Sequence, residues 1–164
     1  MMKKLLLFSA LIFLGFNQVQ AQGELKLGIN GGLPVGDAED FSNFQLGADI
    51  AYLFGVMNVI EVGPMLGYSR FFVEDIETGF GELDADDISF LPIAASGRLG
   101  VGMAFLGLDL GYAISLMEDG EGGFYYRPKI GVCLGIFSII GSYQGISNNG
   151  ENLSSVNVGL EFKL

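Results

Sequence analysis

Apolar residues alternate one for one with small or charged residues along much of this chain, and that period of two constrains the fold more than any other feature. Near the C-terminus Val156, Val158, Leu160, Phe162 and Leu164 alternate with Ser155, Asn157, Gly159, Glu161 and Lys163. Leu106, Leu108, Leu110, Tyr112, Ile114 and Leu116 alternate with Gly107, Asp109, Gly111, Ala113 and Ser115, and the stretch from Phe44 to Phe54 repeats the pattern. Successive side chains of a strand point to opposite faces, so sustained alternation marks strands with different surroundings on their two sides.

Helices are disfavoured by the same residues. The best apolar candidate for a membrane helix, 99–117, contains Asp109 and glycines at 100, 102, 107 and 111. Each interior glycine costs a helix about 1 kcal/mol relative to alanine. Strand-like segments fall at 24–32, 44–54, 58–72, 88–99, 104–116, 124–133, 137–146 and 153–164. The connections at 33–43, 73–87, 117–123 and 147–152 are longer and polar, whereas those near 55–57, 100–103 and 134–136 are short and uncharged. Long loops at one end and short turns at the other predict an eight-stranded antiparallel up-and-down transmembrane β-barrel. The even count lets the first strand pair with the last and remove the sheet edges.

The N-terminus reads as an address. Lys3 and Lys4 precede an apolar run from Leu5 to Phe16, and Val19-Gln20-Ala21 supplies small residues where a signal peptidase needs them. The run is shorter than the roughly 20 residues a membrane-spanning helix requires, and no Cys follows it to carry a lipid. Residues 1–21 are therefore expected to be a cleaved signal peptide and 22–164 the barrel domain. The expected location is the outer membrane, with both termini on the periplasmic side.

Charge placement sharpens the reading. Fourteen of the 19 acids fall in or beside the long connections: Asp37, Glu39, Asp40, Glu74, Asp75, Glu77, Glu82, Asp84, Asp86, Asp87, Glu118, Asp119, Glu121 and Glu151. The other five, Glu24, Asp49, Glu61, Asp109 and Glu161, lie within strands, as do Lys26, Arg98, Arg127, Lys129 and Lys163. In GGFYYRPKIGVCLG, Arg127 and Lys129 share a parity with Tyr125, while Phe124, Tyr126, Ile130 and Val132 share the other. A Lys or Arg facing lipid at mid-membrane costs about 2–4 kcal/mol, so the charged parity is expected to face a small lumen. Charges buried there need partners. Hairpin arithmetic predicts Glu24 opposite Lys163 and Lys26 opposite Glu161. It also suggests Lys26 with Asp49, Glu61 with Arg98, and Asp109 diagonal to Lys129. Pro64, Pro92 and Pro128 fall inside strands, lack a ladder donor, and are expected to mark bulges. Arg70 follows the apolar parity near a loop end, where its long side chain can reach lipid headgroups.

Enzymatic chemistry is not expected. The chain has no His, which excludes Ser-His and Cys-His nucleophile systems and any His-based metal site. Cys133 has no base beside it in sequence. GINGGLPVG at 28–36 lacks the Lys-Ser/Thr of a phosphate loop and reads as a strand entering a loop. No catalytic, cofactor-binding or metal residues are assigned, and no cofactor is expected. With a formal net charge of −11 the chain is not expected to bind nucleic acid. The expected partners are outer-membrane lipid and, at the acidic loops, divalent cations or lipopolysaccharide; hard cations prefer the oxygen ligands that VEDIETGFGELDADD at 73–87 offers.

Three stretches, ISFLPIAASGRLG at 88–100, GLDLGYAIS at 107–115 and GGFYYRPKIGV at 122–132, give the chain a resemblance to small outer-membrane β-barrel proteins of Bacteroidota, PorT-like or OmpX-like. The terminal VNVGLEFKL is similar to the closing strand by which outer-membrane assembly machinery recognises its clients. That family pattern often ends in an aromatic residue, whereas this chain ends in Leu164 with Phe162 two before it. The resemblance implies a fold and carries over no functional residue. The expected function is a structural or surface-interaction role through acidic extracellular loops. The rivals are a narrow solute or ion conduit gated by the lumen charges and an accessory role in protein export, the latter implied by the PorT-like resemblance alone.

Overall fold

A computed structural model describes residues 23–40, 42–73, 76–78, 81–83, 87–118 and 120–164. The predicted leader, 1–21, and the loop acids Glu74, Asp75, Asp84, Asp86 and Asp119 lie outside the described residues. Eight long strands form the body: β1 (Glu24–Val35), β2 (Ser42–Met57), β3 (Ile60–Val73), β6 (Ile88–Val101), β7 (Ala104–Ser115), β8 (Gly123–Cys133), β9 (Phe137–Asn148) and β10 (Glu151–Lys163). Two short strands, β4 (Ile76–Thr78) and β5 (Gly81–Leu83), pair with each other in the second long loop and stay outside the main sheet. The eight strands close in the order β1-β10-β9-β8-β7-β6-β3-β2, every neighbour antiparallel. This is the predicted up-and-down barrel, and closure leaves its sheet no free edge.

The two rims differ as the connections predicted, with one exception. At the short-turn rim, backbone bonds tie neighbouring hairpins together: Gly100 donates to Val59, Cys133 to Met103, and Lys163 to Ile136. Both described ends of the chain lie here, where the Leu164 amide donates to the Leu25 carbonyl. At the opposite rim the first connection holds a 3-10 turn at Gly36–Ala38. The fourth connection, read from sequence as a long loop at 147–152, is instead a tight hairpin. β9 runs to Asn148 and β10 starts at Glu151, leaving Asn149 and Gly150 at φ 45° and 99°. Positive φ at both central residues is the geometry that Asn-Gly accommodates best and that suits the strand twist.

Parity sorts the side chains as expected. In β8, Phe124, Ile130 and Val132 are exposed while Tyr125, Arg127 and Lys129 are buried. On the outer wall Leu106 is 58% and Val158 67% exposed, a large apolar surface that a water-soluble domain does not present. Aromatic side chains flank this band. Phe44 stacks on Phe72, and Tyr126 lies between Phe124 and Tyr143 toward the loop rim; Tyr52 meets Phe54 toward the turn rim.

The interior prolines do not make bulges. Pro64 faces Ala95, Pro92 faces Ala113 and Pro128 faces Leu108 with no slip in register on that side. On its other side each proline opens a gap in the ladder, opposite Tyr52 and Leu53, Gly67 and Tyr68, or Tyr143 and Gln144, and pairing resumes in the same register beyond it. A missing donor removes a bond, but with both flanks zipped it cannot move the strand. The recorded register shifts lie between β2 and β3, at Ser42/Phe44 and Gly55/Met57.

Candidate functional site in the barrel lumen

All ten strand charges named from the sequence project to the inner parity or the short-turn rim, and each has an oppositely charged partner. Near the turns, Lys163 pairs with Glu24, and Lys26 bridges Glu61 at 2.8 Å and Glu24 at 3.6 Å. Above them Arg98 grips Glu161 with both terminal nitrogens, one at 2.6 Å, and its guanidinium lies over the Phe105 ring at 4.6 Å. In the middle of the barrel Asp109 is shared. Arg127 donates to it through Nε at 2.8 Å and Lys129 through Nζ at 2.7 Å, while Arg127 Nη1 reaches Asp49 at 2.7 Å. Arg98, Arg127, Lys129, Asp109 and Glu161 are each at most 5% exposed. Removing such groups from water is costly, and paired, forked contacts of this kind are what offset it.

Of the five pairs that hairpin arithmetic supplied, Glu24–Lys163 and Asp109–Lys129 form, whereas Lys26, Asp49, Glu61, Arg98 and Glu161 take other partners. The closing pair of strands is staggered by two residues from the expected register, so Lys26 faces Lys163 and Gly28 faces Glu161. Closure stagger is set by the whole barrel and not by a local turn. Because the slip is even, faces are kept, and Glu24 still reaches Lys163 diagonally. In the first hairpin Asp49 faces Gly28, leaving Lys26 opposite Ala51. Glu61 and Arg98 do face each other in the ladder, yet their side chains part: Glu61 takes Lys26, and Arg98 crosses to Glu161. Asp109 lies beside Arg127 and diagonal to Lys129. Gly107, opposite Lys129, makes that diagonal possible, since a Cβ there would sit 2.9 Å from two carbons of the lysine chain.

Neutral polar residues complete the lumen and were not singled out from the sequence. Ser96 accepts from Lys129 at 3.3 Å, and Ser69 accepts from both Gln45 and Gln144 at 2.8 Å. Asn157 donates to Ser155 at 3.0 Å. They share the parity of the inward-facing charges on their strands, and that signal would have found them on every strand except β9, which carries no charge. Toward the loop rim the filling turns apolar, with Phe71, Phe90, Ala113 and Ile146 buried together. Beside the central ions the void is only about 20 Å³, roughly the space of one water. A larger cavity of about 340 Å³ opens at the turn rim, lined by Lys26, Glu61, Arg98, Phe105 and Cys133 among others. Arg70, on the outer parity, donates through Nε to Asp87 at 2.8 Å, and Asp87 also accepts from the Val73 amide. Among the described residues no three His, Cys, Asp or Glu side chains gather as a metal site.

No model of a known protein family matches the sequence, and no curated protein does. Solved structures do match in shape. Ail, the attachment invasion locus protein of Yersinia pestis, superposes with a TM-score of 0.60 at 14% identity, over 89% of this chain and 100% of that one. De novo designed transmembrane β-barrels give 0.55 at 13% identity over 90% and 100%. The N-terminal β-barrel domain of Pseudomonas aeruginosa OprF gives 0.53 at 13% identity over 88% and 100%. At these identities the likeness establishes the fold, that of the small eight-stranded barrels.

Proposed function

We infer that this chain is an outer-membrane barrel whose role is to anchor and display its acidic loops, a structural or surface-interaction protein and not an enzyme or an open pore. The observation that carries the reading is the packed lumen. Arg98–Glu161 and Arg127–Asp49 cross it, and the void beside the central cluster holds about one water. A conduit needs a continuous wet path, and two cross-lumen ion pairs stand in it. The apolar outer wall with its aromatic flanks supports a bilayer setting. Residues 1–21 serve on this reading as the cleaved leader, so protein recovered from outer membranes has the mass of a chain starting at Gln22.

The loops determine what kind of partner fits. Ail has been solved with the heparin analogue sucrose octasulfate, a polyanion. This chain presents Asp37, Glu39, Asp40, Asp87, Glu118, Glu121 and Glu151 around its loop rim and would repel such a ligand. A cationic surface, or an anionic one such as lipopolysaccharide bridged by divalent cations, suits it better. The accessory export role rests on the PorT-like resemblance alone, and no feature of the lumen or loops favours it. Planar-bilayer recording tests the reading: the anchor predicts silence, and steady conductance altered by Lys129→Ala would establish the conduit instead.

A further inference from the structure

The outer wall carries a feature that lumen and loops do not explain. A groove of about 680 Å³ crosses β3, β2, β1 and β10, bounded by Tyr68, Leu46, Ile29, Val158 and Leu160, with Arg70 at one end. It is open because Gly31 and Ala48 bring no bulk to the wall between those larger side chains. Arg70 lies close to the loop end of β3, Val158 lies mid-strand on β10, and Ile139, the groove's lining residue on β9, lies near that strand's short-turn end. The groove therefore descends from the loop rim into the apolar band, with its cation at the top. Among the described residues Arg70 is the one Lys or Arg on the outer parity; the others face the lumen or the turn rim.

We propose that this groove is a specific docking site for an anionic phospholipid whose net charge is that of a single phosphodiester, its head against Arg70 and an acyl chain laid over Gly31 and Ala48. A cation above a channel of apolar side chains matches an anionic head above a hydrocarbon tail, and the guanidinium fork suits a phosphate. One positive charge suits one negative charge. A lipid with several phosphates would set the excess against Asp87. Nε and Nη2 of Arg70 donate to Asp87, which leaves Nη1 to offer on a side chain that is 46% exposed.

The proposal rests on the membrane reading above, and the test separates the two. Barrels with Cys133→Ser carry a fluorophore at Leu27→Cys, just below the groove, or at Leu108→Cys on the opposite wall. They are placed in nanodiscs of phosphatidylcholine and phosphatidylglycerol, with bromine on the chains of one lipid or the other. The expected result is stronger quenching at position 27 by brominated phosphatidylglycerol than by brominated phosphatidylcholine, with no difference at 108. Arg70→Gln should erase the preference and Arg70→Lys retain it. Asp87→Asn should retain or increase it, which a purely loop-stapling Arg70 would not do. Equal quenching by both lipids at 27 overturns the docking site while leaving the membrane reading intact. No quenching at either position overturns both.

Discussion

Arg98 on β6 and Glu161 on β10 are joined end to end through the barrel lumen, with Nη1 of the arginine 2.6 Å from Oε1 of the glutamate. Their strands stand four places apart in either direction around the closed sheet, so the pair spans the interior from wall to wall. Arg127 on β8 and Asp49 on β2 repeat the relationship one layer higher. Such struts tie opposite walls together, which ladder hydrogen bonds between neighbours cannot do.

Breaking one strut strands a charge. Arg98→Ala leaves Glu161 buried without its partner, and a loss of about 3–5 kcal/mol is expected. Replacing both partners with apolar residues of similar volume, Arg98→Met with Glu161→Leu, should recover most of it. Urea unfolding of barrels refolded in phospholipid vesicles measures both, and an additive double variant would remove the strut from the argument.

The outer wall is tested by Leu108→Arg, near the middle of β7. Facing lipid there, arginine should destabilise the barrel by about 2–4 kcal/mol in the same vesicles. A cost near zero would mean that position 108 meets water.

The fourth connection depends on its second residue. Gly150 stands at φ 99°, where a side chain is strained, so Gly150→Ala should cost about 1–2 kcal/mol. Asn149→Gly should be tolerated, since glycine adopts the same turn. Unfolding midpoints of the two variants decide between this hairpin and a loose loop.

The hairpin of β4 and β5 is expected to be dispensable to the barrel. It makes no ladder with the main sheet, and β3 and β6 are already paired at Phe71 and Ile88 beneath it. Removing 76–83 should leave an unboiled sample still migrating apart from a boiled one on a denaturing gel. Loss of that difference would mean the hairpin is needed for folding.

Much of this was legible beforehand, and the failures have separate causes. Phe124, Arg127, Lys129 and Ile130 take the faces that alternation predicts, because side-chain alternation belongs to the strand itself. The Asn149–Gly150 turn was also written in the sequence, as the dipeptide most typical of such hairpins, but polar neighbours on both sides disguised it as a loop. The bulges expected at Pro64, Pro92 and Pro128 did not form, because the intact ladder on one side of each proline holds the register that its missing donor releases on the other.

What the chain alone determined was the class of object: alternation gave each strand a greasy and an ionic side, and an even number of such strands can close antiparallel throughout. Which charges meet across the lumen was decided only on closure. Neighbouring strands can be paired by counting from a turn, but Arg98–Glu161 and Arg127–Asp49 join walls that no turn connects. Their meeting depends on the stagger at which β1 joins β10 and on a lumen narrow enough for one long side chain to cross, and both are properties of the whole ring.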